Sequence, residues 1–96
     1  MEELPLDTEL LKEICRHNDI SMLAVFGSVA RGDATEHSDV DLLVKFSSRK
    51  SLLELVRVER QVSTALGRKV DLVTEAAISP HLQDRVKREM RVIYGT

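Results

Sequence analysis

Residues 39–46, Asp-Val-Asp-Leu-Leu-Val-Lys-Phe, constrain the fold more than any other stretch. A strand sends successive side chains to opposite faces. Val40, Leu42, Val44 and Phe46 therefore share one face, and Asp39, Asp41, Leu43 and Lys45 share the other. One face is apolar throughout and needs a layer of helices to cover it. The other carries two carboxylates roughly 6–7 Å apart along the strand, pointing the same way.

The rest of the chain supplies that layer. Asp7 or Thr8 can cap a helix whose Leu10, Leu11 and Ile14 form one stripe, ending near His17 and Asn18. Residues 20–26 form a short buried strand, broken by Gly27. Ser28 is placed to cap a brief helical turn that Gly32 and Asp33 stop, and residues 33–38 are loop. Ser51 and Glu54 form a capping box for a long helix ended by Gly67, with Leu52, Leu55, Val56, Val62 and Leu66 as its stripe. Residues 69–74 are a third strand, from which Asp71 stands out of an apolar segment. Ser79 and Pro80 open a last helix with Leu82, Val86 and Met90 inward, followed by a short extended tail through Ile93 and Tyr94. Alternating helices and strands indicate an α/β fold, a small mixed sheet of about three strands with packed helices. At 96 residues and 43% apolar composition, positions 1–96 make a single domain.

Charge narrows the partners. Residues 1–44 carry ten acids and three bases, whereas residues 45–96 carry six acids and eleven bases. The acidic half holds the paired aspartates, which favours cations there. The bases of the second half fall mostly at helical spacing and read as a solvated helix surface. Phe26, Phe46 and Tyr94 are too few aromatics for a base-stacking platform, so direct nucleic-acid binding is not favoured. An acidic start without a basic leader or a long apolar run predicts a cytoplasmic protein that does not enter the membrane. Cys15, the single cysteine, has no zinc-ligand partner at suitable spacing and reads as a small apolar residue on a helix face. His17, His37 and His81 read as solvated.

Three carboxylates brought together repel one another unless a proton or a metal neutralises them. A hard divalent cation is the physical reason to keep them, and Mg²⁺ shares its coordination sphere among a few carboxylates, water and substrate phosphates. Gly27 lets backbone approach a ligand, and the free N–H groups of the next turn favour an anion. The Ser28 hydroxyl can donate to a phosphate oxygen. Each element alone is common; their combination points to phosphoryl transfer.

Gly27-Ser28, ten intervening residues, Asp39-Val40-Asp41 and a later Asp71 resemble the signature of the DNA polymerase β-type nucleotidyltransferase superfamily. The forms Gly-Ser-x-Ala-Arg-Gly at 27–32, Ser38-Asp39-Val40-Asp41-Leu42 and Lys69-Val70-Asp71-Leu72-Val73 are similar to its minimal nucleotidyltransferases, the MNT domain, over about residues 20–94. Glu36-His37 stand where many relatives have a proline and an acid. The resemblance implies that Asp39 and Asp41 each ligate two Mg²⁺ ions. Asp71 completes the shell of one ion and helps take the acceptor proton. Gly27 and Ser28 then hold the outgoing phosphates of ATP. Arg31 and Ser38 match family positions, as a phosphate contact or ion pair and as a loop cap respectively. Members of that family commonly act as the antitoxin partner of a HEPN-domain toxin, transferring AMP to a tyrosine of it. Two other readings stay open at this point: a module that neutralises its partner by binding alone, and a nucleotidyltransferase for a small molecule or an RNA end.

Overall fold

The computed structural model describes residues 4–95. The elements run α1 (Thr8–His17), β1 (Ile20–Phe26), α2 (Gly27–Arg31), β2 (Val40–Phe46), α3 (Leu52–Leu66), β3 (Val70–Val73), a 3₁₀ turn (Glu75–Ala77), α4 (Pro80–Glu89) and β4 (Arg91–Gly95). The sheet order is β3-β2-β1-β4. β1 is antiparallel to both β2 and β4, whereas β2 and β3 run parallel. The chain after α4 is thus a fourth strand rather than a simple extended tail. Its backbone pairs with the open edge of β1, and Ile93 enters the core.

Local chemistry explains most of the ends. The Asp7 carboxylate accepts from Leu10 N at 3.1 Å and starts α1. The Ser51 hydroxyl accepts from Glu54 N at 3.2 Å and starts α3, which closes on Gly67 in the left-handed region at φ 65°. Pro80 occupies the first turn of α4, where its missing N–H costs nothing, and Ser79 makes no side-chain cap bond there. Ser28 lies inside α2 rather than capping it: the helix begins one residue earlier, at Gly27, with Phe26 as the flanking residue.

The sheet is covered on both faces. Val40, Leu42, Val44, Leu23 and Val25 pack under α1 and α3 against Leu11, Ile14, Val58 and Val62. Met22, Ala24 and Leu43 form a smaller cluster under Val86 of α4 and Met90 just beyond it. Cys15 is buried in the larger core, as a small apolar residue should be, and burial pushes its thiol up to about 11. The α3 stripe holds in part. Val62 is buried and Leu55 and Leu66 pack against the core, joined by buried Val58, whereas Leu52 is 75% exposed and Val56 sits at the surface. The N-terminal turns of α3 project beyond the edge of the core, so periodicity continues where there is nothing to pack against. Accordingly, Leu11→Ala should cost about 2–5 kcal/mol and Leu52→Ala less than about 0.5 kcal/mol in denaturant unfolding.

β3 lies at an edge of the sheet, and α3 satisfies part of that edge. Glu59 Oε2 accepts from Leu72 N at 2.9 Å, a bond that orders the strand beside Asp71. Among the described residues no helix is long and apolar enough to cross a membrane.

Candidate active site

The sheet itself brings the carboxylates together. Asp41 lies in register with Asp71 of β3 on one side and Phe26 of β1 on the other. Neighbouring strands are about 4.8 Å apart, and residues in register project to the same face, so Asp41 and Asp71 stand side by side. Asp39 immediately precedes β2 and is half-exposed, with Oδ2 at 3.7 Å from Lys69 Nζ. The backbone is pinned at the same place, because Val40 N donates to Lys69 O at 3.0 Å.

Burial pushes the Asp41 carboxyl above its ordinary value, and the charges of Asp71 and then Asp39 push it further, against a smaller opposing pull from Arg31. Asp41 therefore feels the charge of both other acids. The three do not form a ready-made cage: among the described residues no three acid, histidine or thiol groups converge closely enough to hold a metal ion. Mutual repulsion and the pull of Lys69 on Asp39 both act against convergence.

Gly27 completes the floor. Its φ of 71° lies in the left-handed region, and a Cβ added there would run into the Asp41 carboxylate. The strand-to-helix turn thus brings backbone directly against Asp41. Gly27, Ser28, Arg31 and Asp41 line a cleft of about 440 Å³ whose opposite wall is α4. Leu82, read from the sequence as an inward residue, is 49% exposed and lines this cleft.

Arg31 reaches across the cleft mouth, pairing with Asp33 and with Glu89 of α4, each at 3.4 Å. Ser38 is drawn into the loop instead of the cleft lining. Its hydroxyl accepts from Thr35 N at 2.9 Å, and the carbonyls of Thr35 and Ser38 accept from Arg68 Nη2 at 3.1 and 2.8 Å. Arg68, just beyond α3, thereby fixes the segment leading into Asp39. In the sequence Arg68 and Arg85 read only as bases of a solvated helix surface, and Glu59 and Glu89 carry no signal. Arg68 and Glu59 act on partners far along the chain, and Glu89 joins Arg85, four residues before it, to the distant Arg31.

A nucleotidyltransferase domain model matches residues 8–93, from α1 into β4. The chain belongs to the nucleotidyltransferase domain family. A relative from Thermococcus cleftensis named protein adenylyltransferase MntA is 38% identical over 79 residues, covering 82% of this chain and 80% of that protein. A solved toxin-antitoxin structure with AMP-PNP superposes at a TM-score of 0.82 with 24% identity, covering 95% of this chain and 75% of the matched one. A chain from the complex of tri-AMPylated Shewanella oneidensis HEPN toxin with MNT antitoxin superposes at 0.72 with 21% identity, over 93% of this chain and 70% of that one. The four-stranded mixed sheet with helices on both faces is thus a fold shared with the matched chains of those solved structures. In this nucleotidyltransferase domain the Gly27-Ser28 turn and the aspartates occupy one end of the sheet.

Proposed function

We propose that this nucleotidyltransferase is a Mg²⁺-dependent protein adenylyltransferase. It moves AMP from ATP to a hydroxyl, a tyrosine's, on a HEPN-domain toxin for which it serves as antitoxin. The observation that carries the reading is Asp41, held in register with Asp71 and backed against the Gly27 backbone, at the floor of a cleft large enough for a nucleotide. The relative named protein adenylyltransferase and the likeness to toxin-antitoxin complexes support the choice of acceptor.

The donor set suits Mg²⁺, which takes oxygen ligands and needs one or two carboxylates beside substrate phosphates. Asp39, Asp41 and Asp71 would hold two such ions, consistent with the unrelieved repulsion at Asp41. Held there, Mg²⁺ would neutralise charge on the triphosphate and acidify the acceptor hydroxyl. The protein's own part is positioning. Ser28 donates its hydroxyl proton to a phosphate oxygen, and Gly27 gives the departing phosphates room against the backbone. Arg31 adds a cation at the cleft mouth. Asp71, more exposed than Asp41, takes the proton of the acceptor hydroxyl. The acceptor oxygen attacks the α-phosphorus in line, the bond to the bridging oxygen breaks, and pyrophosphate leaves.

The test is incubation with Mg²⁺, ATP and the product of the neighbouring gene, followed by intact-mass measurement of both proteins. A mass gain of one or more AMP units on the partner, lost when the metal is chelated, is the expected result. An unmodified partner that nonetheless binds tightly would overturn transfer in favour of neutralisation by binding alone.

A further inference from the structure

The wall of the cleft opposite Ser28 carries an ion-pair arrangement whose Arg85 and Glu89 the catalytic reading leaves unused. Glu89 Oε1 accepts from Arg85 Nε at 3.1 Å, and its Oε2 accepts from Arg31 Nη1 at 3.4 Å. One carboxylate thus bridges a guanidinium of α4, four residues before it, and a guanidinium of α2, 58 positions before it in the chain. Glu89 is the last residue of α4. An acid there opposes the negative end of the helix dipole, and an arginine placed four residues before a glutamate is the less favourable order for a helical pair. Helix stability alone therefore gives no reason for this glutamate. Two arginines do: they hold its carboxyl below the ordinary value, with Arg85 the stronger influence.

Among the charged side chains that line the cleft, Asp41 and Glu89 balance Arg31 and Arg85. A triphosphate adds several negative charges to that space. Lys87 of α4 is engaged with Glu75 at 3.1 Å, and Lys69, just before β3, with Asp39. Among the described residues Arg85 is the α4 cation that lines the cleft, and guanidinium binds phosphate oxygens in the same forked way as it binds a carboxylate.

We propose that Arg85 is a second cationic arm of the nucleoside-triphosphate site, and that Glu89 holds both arginines in place until phosphate oxygens displace it. This rests on the nucleotidyltransferase reading and extends its phosphate site from α2 to α4. Glu89 keeps the guanidiniums extended across the cleft, and the incoming triphosphate takes over their hydrogen bonds.

The experiment measures binding of ATP and AMP to the full chain in Mg²⁺ buffer by calorimetry, with circular dichroism to verify folding. Arg85→Ala should weaken ATP binding about tenfold, as expected for a lost hydrogen bond between charged groups. AMP binding should stay within about twofold, and Arg85→Lys should recover part of the loss. Glu89→Gln, which removes the competing charge, should bind ATP more tightly than the unmodified chain. Equal ATP affinity for Arg85→Ala and the unmodified chain, or equal losses for ATP and AMP, would overturn the role of Arg85 alone. Weaker ATP binding by Glu89→Gln would overturn its displacement. If the unmodified chain binds no ATP, the nucleotidyltransferase reading itself fails, an outcome separate from the others.

Discussion

Asp41→Asn should lower nucleotidyl transfer on the order of 10²–10³-fold or more, the scale of losing one preorganised electrostatic group at a reacting centre, while making the metal-free protein more stable. The two effects share a cause. Asp41 is partly buried beside Asp71 and Asp39, so its ionised form is disfavoured in the folded state. Its folded pKa lies above the unfolded one, which makes its ionisation a cost to folding. That cost is absent below the ordinary value of 3.8, grows as pH rises through the folded-state value, and is fully present near neutrality. The asparagine variant escapes it. Thermal melts without metal should therefore show the variant above the parent near neutrality and the gap closing in acid. Added Mg²⁺ should raise the parent and leave the variant nearly unmoved. A variant that melts lower at neutral pH without metal would contradict the crowding of charge at this position.

Gly27→Ala is expected to impair both stability and transfer severely. A side chain at φ 71° costs about 1–2 kcal/mol from backbone strain. Its Cβ must also displace the Asp41 carboxylate. Gly32 supplies the control. It has φ 82° at the end of α2, yet a Cβ there would meet nothing within 4 Å. Gly32→Ala should show the strain alone, with transfer largely kept. The excess loss in Gly27→Ala measures how tightly backbone is pressed against the carboxylate. Equal losses in the two variants would mean that Gly27 matters only for its dihedral angle.

The parts of this molecule that were legible in its sequence are those decided by near neighbours. Asp7, Ser51 and Gly67 act on residues within a few positions of themselves, and each caps as its type requires. The alternation of residues 39–46 put Asp41 and Leu43 on one face correctly, and that face lies under α4. The cap expected at Ser28 falls two residues earlier, at Phe26, because Gly27 tolerates the left-handed angle that starts α2 early. Pairing was the illegible part. β4 offers no alternation strong enough to announce a strand, and it becomes one because β1 has a free edge. The exposure of Leu52 and Leu82 likewise depends on where the core and cleft end, which no helical period encodes. At the site, Asp71 stood out as a carboxylate in an apolar strand. Its register with Asp41 required the parallel crossover through α3.

The buried thiol of Cys15 gives this chain an internal clock. Thiol reagents attack the thiolate, and a thiol held at about 11 and 1% exposed supplies almost none at neutral pH. Modification must wait for α1 to lift from the sheet. Because the chain has only one cysteine, every labelled molecule records one such opening. Labelling rates with and without nucleotide would therefore read how far occupancy of the cleft is felt by a helix on the opposite face of the sheet.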